Sequence, residues 1–256
     1  MISSCSPSVL DERLKRFKGE YRELAIAVEK EDTLAIKKRI KLKGLDVNYH
    51  EPDFGETLLM WAVQNGKYKS CKVLLELGAD PNTKSFDSKT SALMFSAEKY
   101  NTSKYLNLLL SYGGNANDSS DFQGTNFLRT PLIAASSSRL KSVKILIKNG
   151  ANINYVSHHH QTALGSAISS NYINIARYLM IEKGANFNIF LGKTIQGDTI
   201  RIVNSLRSCV FPLESEDYKV KMEMVDYMLE RGVDYWKTPI PHHYYKNYDS
   251  IYLSKY

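Results

Sequence analysis

The chain of 256 residues has no long hydrophobic run and few cysteines. No stretch of about 18 or more apolar residues occurs, so the sequence predicts no membrane-spanning helix. The three cysteines, Cys5, Cys71 and Cys209, are an odd number without paired spacing. This pattern argues against a disulfide framework and against a zinc site. Cys71 is expected to be a small residue of a hydrophobic core.

Sequence signatures of an active site are also missing. No serine or cysteine stands near a histidine in a pattern that predicts a nucleophile and its base. Residues 192–194, Gly-Lys-Thr, lack the earlier glycine of a phosphate-binding loop. His158, His159 and His160 are adjacent, but a structural zinc site takes its ligands from two separated pairs. We therefore predict no enzyme activity, no catalytic residue, no metal, no cofactor and no small-molecule substrate.

The charge balance permits an acidic partner without requiring one. The sequence has 34 lysines and arginines against 27 aspartates and glutamates, a formal net charge of +7. Five basic residues crowd one predicted helix over residues 37–43. They form either a patch for nucleic acid or acidic lipid, or the solvated outer face of a terminal repeat. The lack of interleaved aromatic residues favours the solvated face, so nucleic acid is not the expected partner.

The chain contains five copies of one short sequence motif. Residues 150–154 read Gly-Ala-Asn-Ile-Asn, and variants of this motif end at four other asparagines. The closing asparagines are Asn48, Asn82, Asn117, Asn154 and Asn188, so the successive steps are 34, 35, 37 and 34 residues. A fixed period of about 33 residues is the signature of a stacked helical repeat.

Each repeat predicts two short helices. In the copy that ends at Asn82, Thr57 is a suitable N-cap for the first helix, and residues 65–66, Asn-Gly, end it. A second helix is predicted from about Tyr68 to Leu77, with its apolar side chains on one face. Gly78 ends this second helix.

These residues resemble the ankyrin repeat, whose first helix begins Thr-Pro-Leu-His-x-Ala-Ala and whose second helix ends before Gly-Ala-Asp-x-Asn. Residues 130–135 read Thr-Pro-Leu-Ile-Ala-Ala, and residues 162–167 read Thr-Ala-Leu-Gly-Ser-Ala. Residues 57–63 and 91–97 are two further copies, and none keeps the histidine of the family pattern. The resemblance covers about residues 20–235. It implies an all-α ankyrin-repeat solenoid of stacked helix-turn-helix units with finger-like loops.

The period divides the chain into an extension, a repeat domain and a tail. The repeat domain is expected over residues 20–235, with a degenerate C-terminal capping repeat. The predicted segments are the extension 1–19, the repeats 20–48, 49–82, 83–117, 118–154 and 155–188, the cap 189–235, and a tyrosine-rich tail 236–256.

Within the cap, an inner helix is predicted over residues 199–206, with Ile200, Val203 and Leu206 inward, and an outer helix over residues 220–231. The tail after it is rich in aromatic residues. These either fold back to seal the last repeat or form a contact surface for a partner. The need to cover the end of a stack favours the seal.

The family resemblance implies a module that binds a protein partner through a concave surface of fingers and inner helices. The finger before Thr130 is five residues longer than the next one, which is either an insertion on the binding face, as is frequent in repeat proteins, or a tolerated surface insertion. Trp61 and Phe95 hold matching places and are either half-buried packing or partner contacts. The predicted partner-binding residues are Phe54, Glu56, Trp61, Gln64, Asn65, Phe86, Lys89, Phe95, Glu98, Lys99, Phe122, Phe127, Arg129, His158, His159 and Gln161.

Two other functions stay open at this point. One is a stoichiometric inhibitor, such as a bacterial immunity protein that blocks a toxin or enzyme, and the other is a binder of nucleic acid or another acidic surface. A monomer in the cytoplasm is expected. Residues 2–5, Ile-Ser-Ser-Cys, also match the end of a bacterial lipoprotein signal, which would anchor the chain at Cys5 if an upstream signal were trimmed.

Overall fold

The computed structural model describes residues 13–98, 103–121, 128–193 and 199–255, without the side chains of Glu98, Asp121, Leu128, His242 and His243. The chain forms two compact units, Met1–Pro131 and Leu132–Tyr256. Both are built from pairs of short helices, so the predicted helical class is confirmed. No helix in those ranges is long and apolar enough to cross a bilayer.

Helix pairs stack on one another in the first unit. The first helix of each pair contacts the first helix of the next pair, and the second helices do the same. We call them inner and outer helices, respectively. In chain order they are α1 (Glu20–Glu29), α2 (Thr33–Lys43), α3 (Leu58–Gln64), α4 (Tyr68–Glu76), α5 (Ala92–Glu98) and α6 (Ser103–Ser111).

The inner helix α3 forms the centre of this unit. All its residues from Leu58 to Val63 are buried, because α1, α4 and α5 contact it from three sides. A helix that is apolar on every side is stable only in such surroundings. Its N-cap is Thr57, as predicted, whose Oγ1 accepts from the Met60 N–H at 3.3 Å. The outer helix α4 buries Cys71, as predicted, together with Leu74.

The closing asparagines join one repeat to the next. The Asn82 side chain accepts from the Asn115 N–H at 2.8 Å and donates to the Gly113 carbonyl at 3.0 Å. Asn48 accepts from the Asp80 N–H at 2.8 Å one repeat earlier. An asparagine side chain carries both an acceptor and a donor, so one residue can satisfy two backbone groups. This double contact explains why the asparagine recurs at a fixed period.

We expect Asn82→Ala to lower the free energy of unfolding by about 1–3 kcal/mol, because two backbone groups of the next repeat lose their partner. Urea denaturation measures this loss. Asn188→Ala is the matched control, since Asn188 closes the last copy and its side chain has no hydrogen bond to any described residue. Equal losses in the two variants would contradict the bridging role.

The second unit continues the pairing of helices. The inner helices α9 and α11 contact each other, and α10 contacts α9 and α12. Asn154 accepts from the Asn186 N–H at 2.8 Å, which repeats the bridge seen in the first unit. The helices are α7 (Pro131–Ser136, which begins at the unit boundary), α8 (Leu140–Lys148), α9 (Ala163–Ser169), α10 (Ile173–Arg177, extended by a π-helical turn Tyr178–Glu182), α11 (Ile202–Arg207) and α12 (Glu216–Leu229).

Short strands close two of the loops. β1 (Ser120–Asp121) pairs with β2 (Leu128–Arg129), and β3 (Gly192–Lys193) pairs with β4 (Thr199–Ile200), both antiparallel. The predicted inner helix of the cap was therefore wrong at its start. Ile200 lies in β4 and its neighbour Leu191 donates its N–H to the Ile200 carbonyl at 2.8 Å. The helix begins only at Ile202, where the strand pairing ends.

The last outer helix is longer than predicted. α12 begins at Glu216 because Ser215 caps it, its hydroxyl accepting from the Tyr218 N–H at 3.1 Å. Glu216 and Asp217 add favourable negative charge in the first turn. Leu229, at the C-terminal end of α12, is 38% exposed.

The tail after α12 turns back onto its own unit. It forms 3-10 turns at Tyr235–Lys237 and His242–Lys246 and a final helix, α13 (Ser250–Ser254). Among the described side chains after α12, Tyr235 at the end of the cap and Leu253 in the tail are buried. The tail thus contacts its unit at separate points, and most of its other described side chains are exposed.

Candidate protein-binding surface

The finger between α2 and α3 is held by a buried carboxylate. Glu51 is fully buried. Its carboxylate oxygens accept backbone N–H bonds from Asp53 at 2.8 Å, Phe54 at 2.7 Å and Glu56 at 3.1 Å. The Glu51 carbonyl also accepts from the Gly55 N–H at 3.0 Å. Because one side chain satisfies three amides of the turn, the finger tip holds its shape without a partner.

The next finger in the chain is joined to this one at its tip. The Phe86 N–H donates to the Phe54 carbonyl at 2.8 Å. The Phe86 ring stacks on His50, with centroids 4.9 Å apart and planes 15° apart. It also lies over Gly55, where any added Cβ would collide with the ring, and where φ is +70°. Gly55 is therefore required both for the turn and for the packing of Phe86.

The two rings remain accessible despite these contacts. Phe54 is 39% exposed and Phe86 is 52% exposed. The Arg16 guanidinium lies 4.4 Å from the Phe54 ring centroid, within cation–π distance, and also 3.9 Å from the Glu56 carboxylate. The result is a pair of exposed aromatic rings on rigid loops, which we call the aromatic finger edge (Phe54 and Phe86).

Trp61 is not part of the accessible surface. Its side chain is fully buried, and its Nε1–H donates to Glu29 at 3.1 Å. Phe17 packs edge-on against it with ring centroids 6.1 Å apart, and the Arg13 guanidinium lies 4.7 Å from its centroid. The hypothesis that Trp61 contacts a partner is therefore wrong, because residues 13–17 cover it. Phe95, at the matching place in α5, is half-buried.

Gln64 and Asn65, at the end of α3, are half-buried, and their side chains donate hydrogen bonds to residues of the same unit. The Gln64 amide donates to the Glu56 carboxylate at 2.7 Å. The Asn65 side chain donates to the Trp61 carbonyl at 2.9 Å. The Gln64–Glu56 bond connects the inner helix to the finger that carries Phe54, whereas the Asn65 bond lies within the end of α3.

The finger that carries Phe86 also presents an exposed lysine in an unusual backbone conformation. Lys89 has φ +46°, in the left-handed region that costs a residue other than glycine free energy. The finger holds it there through its own bonds: the Ser85 N–H donates to the Thr90 carbonyl at 3.0 Å. At its base, Lys84 forms an ion pair with the buried Asp118 at 2.9 Å. Arg129, in β2, is half-buried.

In the second unit, the finger before α9 presents three histidines. The Ser157 N–H donates to the Gln161 carbonyl and the Gln161 N–H donates to the Ser157 hydroxyl, both at 2.9 Å. His158 and His159 are exposed at the tip, and His160 packs edge-on against another ring. Within the described residues, no group of three or more His, Cys, Asp or Glu side chains is arranged to hold a metal.

Several predicted contact residues lie outside the described residues. They are Lys99, Phe122 and Phe127, together with the side chain of Glu98. Their part in a partner contact stays a prediction. The strands β1 and β2 flank the segment that contains the two phenylalanines.

Two features of the surface were missed by sequence reasoning. Glu51 was not singled out, although an acidic residue before a Pro-Asp-Phe-Gly turn is a signal for side-chain bonds to turn amides. The cover over Trp61 was also missed. No local pattern links residues 13–17 to a helix more than forty positions later, so only the folded structure could reveal it.

Comparison with known sequences agrees with this architecture. A family model described as ankyrin repeats (3 copies) matches residues 24–121 and again residues 93–190. The chain belongs to the ankyrin repeat family. An ankyrin repeat protein of Acanthamoeba polyphaga mimivirus is 33% identical over 79 residues, which are 31% of this chain and 47% of that protein. The chain thus matches about half the length of this curated relative.

Membership of the ankyrin repeat family has a general functional meaning. Ankyrin repeats are generally protein–protein interaction modules, and the family is generally non-enzymatic. A rigid stack presents its surface side chains with little loss of conformational entropy on binding. The partner of this chain is therefore expected to be a protein.

Proposed function

We propose that this ankyrin repeat protein binds a protein partner through its fingers, with the aromatic finger edge as an anchor. The observation that carries the proposal is that Phe54 and Phe86 are 39% and 52% exposed on loops that are already rigid. Glu51 holds one loop by three N–H bonds, and a backbone bond joins the two fingers. Preformed aromatic anchors lose little entropy on binding, which favours affinity.

The surroundings of the edge suit an interface. Asp53, Asp87 and Lys89 are exposed beside the two rings and offer polar groups of both signs. Protein interfaces commonly combine a core of aromatic residues with such a polar rim. The rim would set orientation and specificity, and the rings would supply most of the binding free energy.

The finger of the second unit is a further contact in this proposal. His158 and His159 are exposed, and Gln161 is half-buried at the base of the same loop. The hydrogen bonds between Ser157 and Gln161 make this loop rigid as well. We propose these three polar residues as a separate contact on the second unit.

The proposal is tested by the affinity of the double variant Phe54→Ala, Phe86→Ala. A tagged full-length chain first captures its partner from the host, and the purified partner is then titrated against each variant. We expect at least about a tenfold weaker Kd, because aromatic anchors typically contribute about 2 kcal/mol or more. An unchanged Kd would refute the assignment of the anchor.

Tyr112→Ala is the matched control for this experiment. Tyr112 lies in the same unit just after α6 and is 40% exposed, close to the exposure of Phe54. Its loss should leave the Kd unchanged. The thermal melting curve of each variant shows whether the rings act mainly as packing, in which case stability falls and the Kd of the folded fraction does not.

The same purified partner distinguishes the other two functions. An inhibitor would abolish the activity of an enzymatic partner at a one-to-one ratio. Binding of nucleic acid would weaken steeply as salt concentration rises, because phosphate contacts release counterions. The first result would make the protein an inhibitor of its partner, and the second would replace the protein-binding function proposed here.

A further inference from the structure

The outer helix α2 carries two leucines on the side opposite its core face. Leu34 is 78% exposed and Leu42 is 76% exposed, the two highest values among large apolar side chains in the described ranges. Ile36, by contrast, is fully buried and marks the direction of the core. We take the outward direction as the one opposite to Ile36 around the helix axis. With about 100° per residue, Leu34 lies about 20° from this direction and Leu42 about 60° from it. Two such leucines on one helix have no role in the packing of this unit.

Lysines fill the remaining positions of that outward face. Lys38 and Lys41 lie within about 40° of the outward direction, and both are exposed. α2 contains no acidic residue from Thr33 to Lys43. The outward face is therefore a mixture of leucine and lysine side chains only.

The cations at the edges of α2 are paired, but the outward ones are not. Arg39 and Lys43 form ion pairs with Glu20 at 3.1 Å and 2.7 Å. Neither Lys38 nor Lys41 has an ion pair with any residue in the described part of the chain. The positive charge of the outward face is thus not neutralised within its own unit.

We propose that this leucine–lysine face (Leu34, Lys38, Lys41 and Leu42) docks onto a membrane surface that contains anionic phospholipids. Exposed leucines can insert at the boundary between headgroups and acyl chains, and the lysine heads can reach the anionic headgroups while their stems stay in apolar surroundings. The charge of the face is complementary to such a membrane, and the neighbouring carboxylates of Glu20, Glu23 and Glu76 are paired with the other cations of α2.

A membrane fits this face better than a protein does. The leucines project from the ridge of a single helix and do not line a groove, whereas helical protein partners usually bind with their apolar side chains in a groove. A lipid interface adapts to projecting side chains. Because only two leucines are available, the attachment is expected to be reversible and to depend on anionic lipid.

This inference changes the expectation drawn from the sequence. The basic residues of α2 were expected to be a solvated outer face. The exposure of Leu34 and Leu42 between them is what distinguishes a lipid-binding face from a merely solvated one. The surface is separate from the aromatic finger edge, so it would attach the protein to a membrane without occupying the proposed partner site.

The test is sedimentation of the full chain with vesicles of phosphatidylcholine and phosphatidylserine, and with vesicles of phosphatidylcholine alone. We expect binding only to the anionic vesicles, weakened by added salt. Lys38→Glu, Lys41→Glu should lower the partition coefficient by at least about tenfold, because each lysine near an anionic surface contributes appreciably. Leu34→Ser, Leu42→Ser should also lower it.

Lys141→Glu, Lys148→Glu is the matched control. These lysines are exposed on the outer helix α8, and this variant changes the net charge of the chain equally. It should bind the anionic vesicles almost as well as the unmodified chain. All variants should keep their melting temperatures, because every altered side chain is exposed.

Three results would overturn the proposal. The first is no binding to anionic vesicles, and the second is equal weakening by the α2 and α8 charge variants. The third is concentration-dependent self-association in sedimentation velocity that Leu34→Ser, Leu42→Ser abolishes, which would assign the face to a second copy of the chain. None of these results depends on whether the aromatic finger edge binds a partner.

Discussion

Removal of the tail after Trp236 is expected to lower the free energy of unfolding by about 3–5 kcal/mol. Two tail tyrosines donate their hydroxyls to backbone carbonyls of the segment between α11 and α12. Tyr244 bonds to Ser208 and Tyr252 bonds to Phe211, both at 2.6 Å. Truncation removes these bonds and uncovers the apolar surface around the buried Leu253.

Thermal or urea denaturation of the truncated chain measures this effect. Tyr252→Phe, which removes one hydroxyl and keeps the ring, should cost about 1 kcal/mol. Ile251→Ser is the matched control, because Ile251 lies on the same helix, α13, but is 69% exposed. An unchanged melting temperature of the truncated protein would show that the tail does not seal the last repeat.

Lys221→Met is expected to stabilise the protein at neutral pH. Lys221 in α12 is fully buried, and its Nζ donates to the Cys209 carbonyl at 2.8 Å. The Arg207 guanidinium lies 4.5 Å from the ring centroid of Tyr235, and the Lys221 Nζ lies 5.4 Å from the same centroid. Burial, the main cause, lowers the pKa of Lys221 to about 6 from its ordinary value of 10.5.

The pH dependence of stability follows from this lowered pKa. Between about pH 6 and pH 10.5, the unfolded chain binds a proton at Lys221 that the folded chain does not bind. The contribution of Lys221 to stability therefore rises with pH in this window and is constant below it. Methionine has no proton to lose, so we expect a net gain of about 1–3 kcal/mol at pH 7, after the lost hydrogen bond is allowed for.

Melting temperatures at several pH values between 6 and 10 test this expectation. The advantage of Lys221→Met over the unmodified chain should shrink as the pH rises. Lys219→Met is the matched control on the same helix, because Lys219 is exposed and its ion pair is with Glu216 at 2.6 Å. If both variants shift the melting temperature equally, or if the advantage of Lys221→Met is the same at every pH, the buried-lysine argument fails.

The repeat architecture was predictable because its signals are local and recurrent. Thr57 and Thr162 cap inner helices in the structure, and Gly78 and Gly184 follow outer helices with positive φ. The asparagine period reflects bonds between adjacent repeats, of which Asn82 is the clearest case. Each of these features depends on one repeat and at most on its neighbour, so the sequence of two adjacent repeats is enough to predict it.

Other features depend on contacts that a repeat pattern does not encode. Ile200 has the apolar character of a helix face, but pairing of β4 with β3 fixes it in a strand. The repeat pattern left Trp61 as either half-buried packing or a partner contact, and the contacts of Phe17 and Arg13 with its ring decide for packing. The exposure of Leu34 could not be read from α2 alone, because it depends on what the rest of the unit leaves uncovered.

The finger surface was predictable only in part. The pattern indicated that Phe54 and Phe86 lie in neighbouring fingers, and they are indeed joined through their backbones. How far each ring would be exposed depends on the stacking of Phe86 on His50 over Gly55. That arrangement requires a particular loop conformation, which sequence spacing does not specify.

Hydroxyl-radical footprinting of the chain with and without its purified partner tests the central claim most directly, because it reports the accessibility of individual aromatic side chains. We predict that oxidation of Phe54 and Phe86 falls severalfold in the complex. Oxidation of Tyr112 and Tyr172, which are 40% and 42% exposed and lie outside the fingers, should stay the same. Protection of Tyr112 or Tyr172 with unchanged oxidation of Phe54 and Phe86 would contradict the proposed finger surface.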